Sequence, residues 1–252
     1  AIATLRSVDE GGRSRLKGSE REDALRVLLD AGFEYVDLEL RRDQGLLIPE
    51  GREGRRPRLI ASMHFQKPVK SSKVEEALDR ACAAGDIGKV AIPCDDAGQA
   101  IMLARIGVRR SEAGDRFTII GMGDQGQLTR VCARRIGSSM AYCSLSGKPA
   151  APGQLDVRSQ SSLMRRDSVL LGLLGHPVAH SVSKPMQEAA LRRAGLAGIY
   201  LNLDLPPEEL TREALGTLGK LGFSGLNVTI PHKERVFEMC DGVDSETQAA
   251  GA

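Results

Sequence analysis

Two side chains that could do chemistry, Lys89 and His64, stand in otherwise apolar segments. Lys89 lies within the run 87–92, and His64 comes directly after Ser62 and Met63 at the end of another apolar run. Burial lowers the pKa of a lysine, and a neutral amine can attack a ketone to form a Schiff base. A nearby histidine can act as a general acid and base. Both residues also fit a simpler interpretation, in which the lysine extends to solvent and the histidine is a buried, hydrogen-bonded side chain.

Charged residues follow two other segments of the first part. Arg6 and Glu10 come directly after the apolar segment 1–5, and Arg130 comes after the glycine-containing loop 121–126. Two arginines around one cavity suit a substrate with a carboxylate, because a guanidinium group binds a carboxylate through two parallel hydrogen bonds. Each arginine fits an ion pair at the surface as well.

The later part of the chain has its own polar residues. Ser181 and Ser183 precede a predicted helix, where two hydroxyls and the backbone N–H groups can hold a carboxylate. Asn227 and Thr229 alternate along a predicted strand, and Lys233 lies on the turn that follows it. The alternatives are an ordinary helix N-cap for the two serines and a solvated surface position for the lysine.

Residues 121–126 match the pattern GxGxxG, which is typical of dinucleotide-binding loops between a strand and a helix. That fold places an acidic residue after the next strand, about 20 residues further along. The next β-rich segment, 140–145, is followed by Ser146, Gly147 and Lys148 instead. The pattern therefore predicts a tight loop between a strand and a helix, and no residue of this chain is predicted to bind a cofactor or a metal.

Short β-rich segments alternate with helical patterns over about the first 145 residues, which indicates an α/β fold with a parallel sheet. Six strands of this kind fit a (β/α)₈ barrel from which two strands are missing, and they also fit an open doubly wound sheet. The predicted strands are 1–5, 34–39, 59–63, 87–92, 117–121 and 140–145. The predicted helices are 20–31, 74–84, 97–106 and 127–136.

A second series of strands and helices begins after the segment 149–168, which contains prolines, a glycine and a cluster of serines. We therefore predict a boundary near residue 165, between a first domain at 1–160 and a second domain at 168–252. The sequence begins inside a predicted strand, which predicts a fragment or a processed product. The second series has strands at 169–174, 199–203 and 225–228 and helices at 184–194, 207–221 and 234–239.

Composition argues against several classes of function. The net charge of the 252-residue chain is only +2, so neither a nucleic acid nor a membrane surface is expected as a partner. Aromatic residues make up 3% of the chain, too few for a base-stacking surface. No apolar run approaches the roughly 20 residues that span a bilayer. The five cysteines lack CxxC spacing, which predicts reduced thiols in a cytoplasmic protein.

Several segments of the first part, taken together, resemble type I 3-dehydroquinate dehydratase. They occur in the order and at the spacing of that family, and they cover about residues 1–158. Because several independent motifs agree, the match is specific. The segments are IATLRS at 2–7, EGG at 10–12, YVDLEL at 35–40, SMH at 62–64, GKVA at 88–91, MG at 122–123 with Gly126 and Arg130, and APGQ at 151–154.

The resemblance implies a barrel enzyme that converts 3-dehydroquinate to 3-dehydroshikimate by loss of water and without a cofactor. Lys89 would form an imine with the ring ketone, which acidifies the adjacent C–H group. His64 would transfer protons during imine formation, enolisation and loss of water. Glu10 would match the acidic partner that orients and tunes this histidine.

Three further residues of the first part would bind the substrate. Arg130 would bind its carboxylate, and Arg6 and Gln154 would hold other oxygens. The sequence also departs from the family pattern. The two opening strands of the family are not represented, Ala150 replaces the usual serine, and the loop after His64 is shorter. The resemblance therefore implies an incomplete (β/α)₈ TIM barrel.

The later part, about 168–252, resembles the substrate-binding domain of shikimate dehydrogenase. Ser181 and Ser183 would bind the carboxylate of 3-dehydroshikimate, and Thr229 would contact the substrate as well. Lys233 would assist proton transfer to the ring oxygen during NADPH-dependent reduction. Lys184 stands where the family usually has proline. The segments that carry the resemblance are GHPVAHSVS at 175–183, MQEAAL at 186–191, YLN at 200–202 and GLNVTIPHK at 225–233.

The order of the two parts resembles the plant bifunctional enzymes and the last two domains of the fungal pentafunctional arom proteins. It implies two consecutive steps of the shikimate pathway of aromatic amino acid biosynthesis. The small-molecule substrates would be 3-dehydroquinate, 3-dehydroshikimate and shikimate. NADP is expected as the cofactor of the full-length dehydrogenase, whose NADP domain is not represented in this sequence. A plant-type protein would lie in the plastid.

Two other functions fit part of this pattern. One is a non-catalytic ligand sensor for the same pathway, built from the same domains. The other is a different Schiff-base barrel, such as an aldolase-like enzyme. Retention of Lys89, His64 and Lys233 favours the enzyme over the sensor, whereas an aldolase leaves Arg130, Gln154 and the second domain unexplained.

Overall fold

The computed structural model describes residues 1–47, 57–145, 149–165 and 167–251. The chain forms two compact units. Each unit consists of several separate stretches of the sequence, so the chain does not divide at one point. The predicted domain boundary near residue 165 therefore stays a prediction. The first unit consists of Ala1–Pro93, Ile106–Gly121 and Ala133–Ala141, and the second of Cys94–Arg105, Met122–Cys132 and Tyr142–Ala252.

A five-stranded sheet has its strands in chain order, β1-β2-β3-β4-β5, and the pairs from β1 to β4 are parallel. A doubly wound sheet reverses its strand order, so the open-sheet alternative is wrong for these strands. The strands are β1 (Ile2–Thr4), β2 (Tyr35–Glu39), β3 (Arg58–His64), β4 (Ile87–Pro93) and β5 (Phe117–Met122). The helices between and after them are α1 (Gly18–Asp30), α2 (Ser71–Ala84), α3 (Ala97–Glu112) and α4 (Gly123–Val131).

Helix α2 packs closely on β4, the strand that carries Lys89. Gly88 comes directly before Lys89, and a Cβ atom at Gly88 would lie 2.6 Å from the Sγ atom of Cys82. Glycine at this position therefore lets the helix approach the strand, and the close packing fixes the backbone beside the lysine. The buried residues of α2 recur at helical spacing and are Val74, Ala77, Leu78 and Ala81.

Three predicted elements of the first part differ from the structure, and one of them is the helix predicted at 97–106, which continues to Glu112. The segment 140–145 forms no strand, because only Ser144 makes an isolated bridge, to Asp156, and its backbone hydrogen bonds go to Leu155 and Val157 rather than to a strand of the sheet. A β-rich segment without a continuous hydrogen-bonding partner does not become a strand. The helix predicted at 127–136 begins earlier, at Gly123, and ends at Val131.

A three-stranded sheet in the second unit has the order β7-β6-β8, and both of its strand pairs are parallel. Its central strand β6 is the most buried of the three, and alternation with helices confirms the predicted α/β class. The strands are β6 (Val169–Gly175), β7 (Gly198–Asp204) and β8 (Phe223–Val228). The helices are α5 (Val157–Leu163), α6 (Ser183–Arg193), α7 (Arg212–Lys220), α8 (Lys233–Met239) and α9 (Ser245–Ala250).

Helix α5 lies inside the segment 149–168, which the sequence predicted to be irregular. The side chain of Asp156 accepts hydrogen bonds from the backbone N–H groups of Arg158 and Ser159, which makes Asp156 the N-cap of the helix. Among the described residues, no helix combines the length and the apolar character needed to cross a membrane.

Candidate active site

Strands β2, β3 and β4 place five polar side chains in adjacent positions. Ser62 of β3 lies opposite Glu39 of β2 and opposite Lys89 of β4. Because successive side chains of a strand alternate, Asp37 shares the face of Glu39, and His64 shares the face of Ser62. The five residues therefore converge on one face of the sheet, near the carboxyl ends of its strands.

Lys89 is buried and paired with a carboxylate. Its side chain is 6% exposed, and Nζ donates a hydrogen bond to Asp37 Oδ2 at 2.8 Å. Burial lowers the pKa of Lys89, and the Asp37 carboxylate opposes that shift. The interpretation of Lys89 as a lysine that extends from a strand end to solvent is therefore wrong.

Asp37 is held in place through its other carboxylate oxygen. Oδ1 accepts hydrogen bonds from Arg6 Nη2 at 2.7 Å and from Ser62 Oγ at 2.5 Å. Burial alone would raise the pKa of Asp37, but the charges of Lys89 and Arg6 outweigh burial and lower the pKa to about 2. Asp37 is therefore ionised at neutral pH, and donors fix both of its oxygens.

His64 is oriented by Glu10. The ring Nδ1 lies 2.9 Å from Glu10 Oε2, and the backbone N–H of His64 donates to the same oxygen at 3.2 Å. With Nδ1 bonded to a carboxylate, Nδ1 carries the proton and Nε2 is the nitrogen that can accept one. Burial lowers the pKa of His64, and the hydrogen bond to Glu10 opposes that shift. His64 is therefore neutral at pH 7, as a general base must be.

Further buried charges hold the segment that carries Arg6. Arg6 Nη1 donates to Glu10 Oε2 at 2.9 Å and lies 3.3 Å from Glu39 Oε1. Arg21 binds both oxygens of Asp43, through Nε at 2.8 Å and Nη2 at 2.9 Å. Paired buried charges are expensive to separate, so this network gives the site a fixed geometry before any substrate binds.

The sequence-based prediction named Lys89, His64, Glu10 and Arg6, and the structure brings all four into one network in the first unit. It assigned no role to three further members of the network, which are Asp37, Glu39 and Ser62. A signal for two of them was present in the segment YVDLEL at 35–40. Its two carboxylates are two residues apart in an apolar strand, so both must lie on one face.

The other two predicted dehydratase residues, Arg130 and Gln154, belong to the second unit. Arg130 is buried on α4, where its Nη2 donates to the carbonyl of Pro152 at 3.4 Å. The side chain of Gln160 donates to the backbone carbonyl of Arg130 at 2.8 Å. Gln154 Oε1 accepts a hydrogen bond from the backbone N–H of Ala150 at 2.8 Å. Burial lowers the pKa of Arg130.

The four residues predicted for the later part follow the carboxyl ends of two strands of the second sheet. They are Ser181, Ser183, Thr229 and Lys233. Because β6 and β8 are parallel neighbours, their carboxyl ends lie at the same edge of the sheet. Ser181 Oγ accepts a hydrogen bond from the backbone N–H of Ser183 at 3.1 Å. Lys233 is exposed and is the first residue of α8.

Polar contacts within the protein support this edge of the second sheet. The hydroxyl of Tyr200 donates to Asn227 Oδ1 at 2.8 Å, which ties β7 to β8. The Nε2 atom of His232 lies 2.7 Å from the carbonyl oxygen of Leu205. Asn227 thus contacts the protein itself.

The network in the first unit has a definite chemical capacity. A buried amine, an ionised carboxylate on it and a neutral, oriented histidine are the groups needed to form an imine with a ketone and to move a proton from carbon.

Comparison with known families agrees with this capacity. The sequence model of the type I 3-dehydroquinase family matches residues 1–170. The sequence model of the shikimate dehydrogenase substrate binding domain matches residues 173–252. The resemblances that the motifs predicted for the two parts are therefore confirmed, as is their order.

Two curated relatives match different extents of the chain. The chloroplastic bifunctional 3-dehydroquinate dehydratase/shikimate dehydrogenase of Arabidopsis thaliana is 28% identical over 260 residues, which cover 100% of this chain and 42% of the relative. The shikimate dehydrogenase (NADP(+)) of Methanopyrus kandleri is 49% identical over 83 residues, which cover 33% of this chain and 28% of the relative. The chain thus spans less than half the length of each.

A solved structure shares the fold over the whole chain. The dehydroquinate dehydratase and shikimate dehydrogenase from S. pombe AroM has a TM-score of 0.56 and 22% identity, covering 100% of this chain and 48% of that chain. The predicted α/β fold class, with a part like a (β/α)₈ barrel and an α/β substrate-binding domain, is confirmed.

Proposed function

The chain belongs to the type I 3-dehydroquinase family over residues 1–170, and on this premise we propose that its first part dehydrates 3-dehydroquinate to 3-dehydroshikimate. The observation that carries the proposal is Lys89, a buried amine in a network that also holds a neutral histidine, His64, oriented by Glu10. An amine with a lowered pKa and a general base in one site are what imine chemistry requires.

The reaction would proceed through an imine on Lys89. The amine attacks the ring ketone, and one water leaves as the imine forms. The positively charged imine withdraws electrons and acidifies the adjacent C–H group. His64 accepts that proton through Nε2 and returns a proton to the departing hydroxyl, which leaves as water. Hydrolysis of the imine then releases 3-dehydroshikimate and restores Lys89.

Other residues of the proposed site bind and orient. Glu10 holds the ring of His64 in the orientation that directs Nε2 to the substrate. Arg6 holds a substrate oxygen, and the family resemblance assigns the substrate carboxylate to Arg130 and another substrate oxygen to Gln154. Through its contacts with Asp37 and Glu10, Arg6 also fixes the geometry of both carboxylates.

We further propose that the later part binds 3-dehydroshikimate or shikimate for reduction. Ser181 and Ser183 hold the carboxylate, Thr229 contacts the ring, and Lys233 assists proton transfer to the ring oxygen. Their common position after β6 and β8 supports this assignment, because ligands of parallel α/β sheets bind at the carboxyl ends of the strands. NADP would supply the hydride in the full-length dehydrogenase, and no residue named here is proposed to hold it. A cytoplasmic location stays a prediction.

Trapping of the imine tests the dehydratase proposal. The protein is mixed with 3-dehydroquinate and sodium borohydride, digested and analysed by mass spectrometry. We expect one covalent adduct, on the peptide that contains Lys89, and none in the Lys89→Met variant. The Lys67→Met variant is the matched control, because Lys67 is an exposed lysine of the same unit. Loss of the adduct from both variants, or an adduct on another lysine, would contradict the proposal.

The same experiment separates the enzyme from the sensor. A protein that binds 3-dehydroquinate in calorimetry but forms no adduct and releases no 3-dehydroshikimate would be a ligand sensor. The retained Lys89, His64 and Glu10 network favours the enzyme, because a sensor needs neither a buried amine nor an oriented base.

A further inference from the structure

Asp37 is a buried carboxylate that the mechanism above does not use, although it contacts the reacting amine. Its Oδ2 atom lies 2.8 Å from Lys89 Nζ, and the residue is 3% exposed. We infer that Asp37 is the counter-ion of the imine on Lys89, and that it keeps the imine nitrogen protonated and therefore electron-withdrawing. The inference rests on the proposed dehydration at Lys89.

The surroundings of Asp37 aim one of its oxygens at the amine. Oδ1 is occupied by the guanidinium group of Arg6 and the hydroxyl of Ser62, so Oδ2 is the oxygen that faces Lys89. The backbones of Asp37 and Lys89 are fixed as well, since β2 and β4 both pair with β3. A carboxylate held in this way needs no reorganisation when charge is present at the nitrogen.

The other two carboxylates of the network serve different partners. Glu10 Oε2 contacts the ring of His64 and the guanidinium group of Arg6. Glu39 Oε1 accepts from the backbone N–H of Ser7 at 2.6 Å and lies 3.3 Å from Arg6 Nη1. Because Glu10 and Glu39 are bonded to other cations and donors, Asp37 is the carboxylate that contacts the amine of Lys89.

Within the described part of the chain, several charged groups act on Lys89. They include Asp37 of β2 and Arg6 and Glu10 of the segment after β1, and the titratable but neutral His64 of β3 lies in the same network. Burial and the positive charge of Arg6 both disfavour a cation at this nitrogen, and Asp37 opposes them. Because its own pKa is lowered to about 2, Asp37 keeps its negative charge at every pH at which the enzyme would be assayed.

The charge balance of imine formation explains why the counter-ion matters. The ammonium group of Lys89 and the ketone give a protonated imine and one water. The C=O bond is replaced by a C=N bond, and the ketone oxygen leaves with two of the three ammonium protons. One positive charge thus stands on the same nitrogen before and after the step. A carboxylate in contact with that nitrogen stabilises both states and raises the pKa of the imine.

The test compares the pH dependence of trapping in wild type and in Asp37→Asn. Borohydride reduces the protonated imine, so the amount trapped falls where the imine loses its proton. We expect the alkaline limit of trapping to move down by about 1–3 pH units in Asp37→Asn. We expect kcat to fall about 100-fold, with KM changed less than about 3-fold. Asp37→Glu should restore part of kcat and of the pH limit.

Asp86→Asn is the matched control, because it also replaces a carboxylate of the first unit, but one that accepts a hydrogen bond from the backbone N–H of Leu59 rather than contacting Lys89. It should leave the alkaline limit of trapping where it is in wild type. A folded Asp37→Asn variant with the wild-type pH limit and kcat would overturn the counter-ion inference and leave the dehydratase proposal standing. Wild type that forms no adduct would overturn the dehydratase proposal and the inference with it.

A measurement on the unaltered protein keeps the inference testable if Asp37→Asn fails to fold. Protein labelled with ¹⁵N at the lysine Nζ positions is mixed with 3-dehydroshikimate, and the imine nitrogen is observed by NMR between pH 6 and pH 9. A protonated imine throughout that range supports the counter-ion. A neutral imine at pH 7 overturns it.

Discussion

The two proposed reactive lysines stand in opposite surroundings. Lys89 is 6% exposed and paired with Asp37, inside a network of buried charges in the first unit. Lys233 in the second unit is exposed at the start of α8. A buried amine suits covalent chemistry, because burial favours its neutral, nucleophilic form. An exposed ammonium suits hydrogen bonding and proton delivery to a ligand that arrives at a strand edge.

The surroundings of the two lysines differ in how their geometry is fixed. In the first unit, ion pairs among buried side chains hold the site, as between Arg6 and Glu10 and between Arg21 and Asp43. In the second unit, the proposed residues are held mostly by the backbone, as in the hydrogen bond from the Thr229 N–H to the carbonyl of Leu174 at 2.9 Å. Substitutions should therefore act on chemistry and stability together in the first unit and separately in the second.

The largest expected effect comes from exchanging the lysines for methionine, one at a time. Lys89→Met should reduce kcat for dehydration by roughly 10⁴-fold or more, because the covalent step is lost. Lys233→Met should leave dehydration within about 2-fold of wild type, because an exposed side chain of the second unit takes no part in the imine. Steady-state formation of 3-dehydroshikimate, followed by its absorbance, measures both. Equal losses of kcat in the two variants would contradict the proposal that only Lys89 takes part in dehydration.

The next largest effect concerns stability. Arg21→Met leaves Asp43 buried without its cation, which should cost about 3–5 kcal/mol in the free energy of unfolding. The matched change in the second unit is Arg165→Met, which removes an ion pair with Asp167 whose side chains are 64% and 66% exposed. Because solvent screens that pair, its loss should leave the free energy of unfolding nearly unchanged. Urea unfolding followed by circular dichroism measures both, and similar costs would contradict the distinction between the units.

Sequence patterns predicted most of the elements that position the site. Alternation of strands and helices located β1 to β5, and the apolar runs around His64 and Lys89 placed both residues on strands. These predictions succeed because burial of one face sets the spacing of apolar residues within each strand and helix, and this spacing is visible in the local sequence. The segment 140–145 failed for the converse reason, since a strand also needs a neighbour to bond with and no local pattern supplies one.

The pairing of Asp37 with Lys89 could not be predicted in the same way. The two residues are 52 positions apart, and their contact depends on the register of two strand pairs and on the rotamers of long side chains. The sequence does indicate that Asp37 and Glu39 share a face. It does not say which of them meets the amine, because Arg6 and Arg21 compete for the same carboxylates.

A smaller effect should appear on acidification. The pKa of Asp37 is lowered to about 2 in the folded protein from 3.8 in the unfolded chain. Asp37 therefore contributes stability that is fully present above about pH 4 and is lost as the pH falls toward 2, up to about 2 kcal/mol. The stability gap between wild type and Asp37→Asn should narrow between pH 5 and pH 2.5 in urea unfolding.

The control for acidification is Asp244→Asn in the second unit. Asp244 caps α9 by accepting a hydrogen bond from the Thr247 N–H at 2.7 Å. Hydrogen bonds with the backbone and side chain of Thr247 lower the pKa of Asp244 too. Asp244 is exposed, so solvent screens the effect, and its gap to wild type should narrow less over the same pH range than the gap for Asp37→Asn. Equal narrowing of the two gaps would show that the buried pair does not govern acid stability.

The smallest expected effects are on the free energy of unfolding, when two hydrogen-bonded serines, Ser62 and Ser181, are replaced by alanine. Ser62 is completely buried, and its hydroxyl donates to Asp37 and accepts from Arg6 at 3.0 Å. Ser62→Ala should cost about 1–2 kcal/mol in unfolding free energy, because it leaves polar groups buried with fewer partners. Ser181→Ala should cost about 0.5 kcal/mol, because water can replace its half-exposed bond with the Ser183 N–H. If both serines cost the same, burial of the polar network is not what separates the two units, and the chemical difference between their lysines would need another cause.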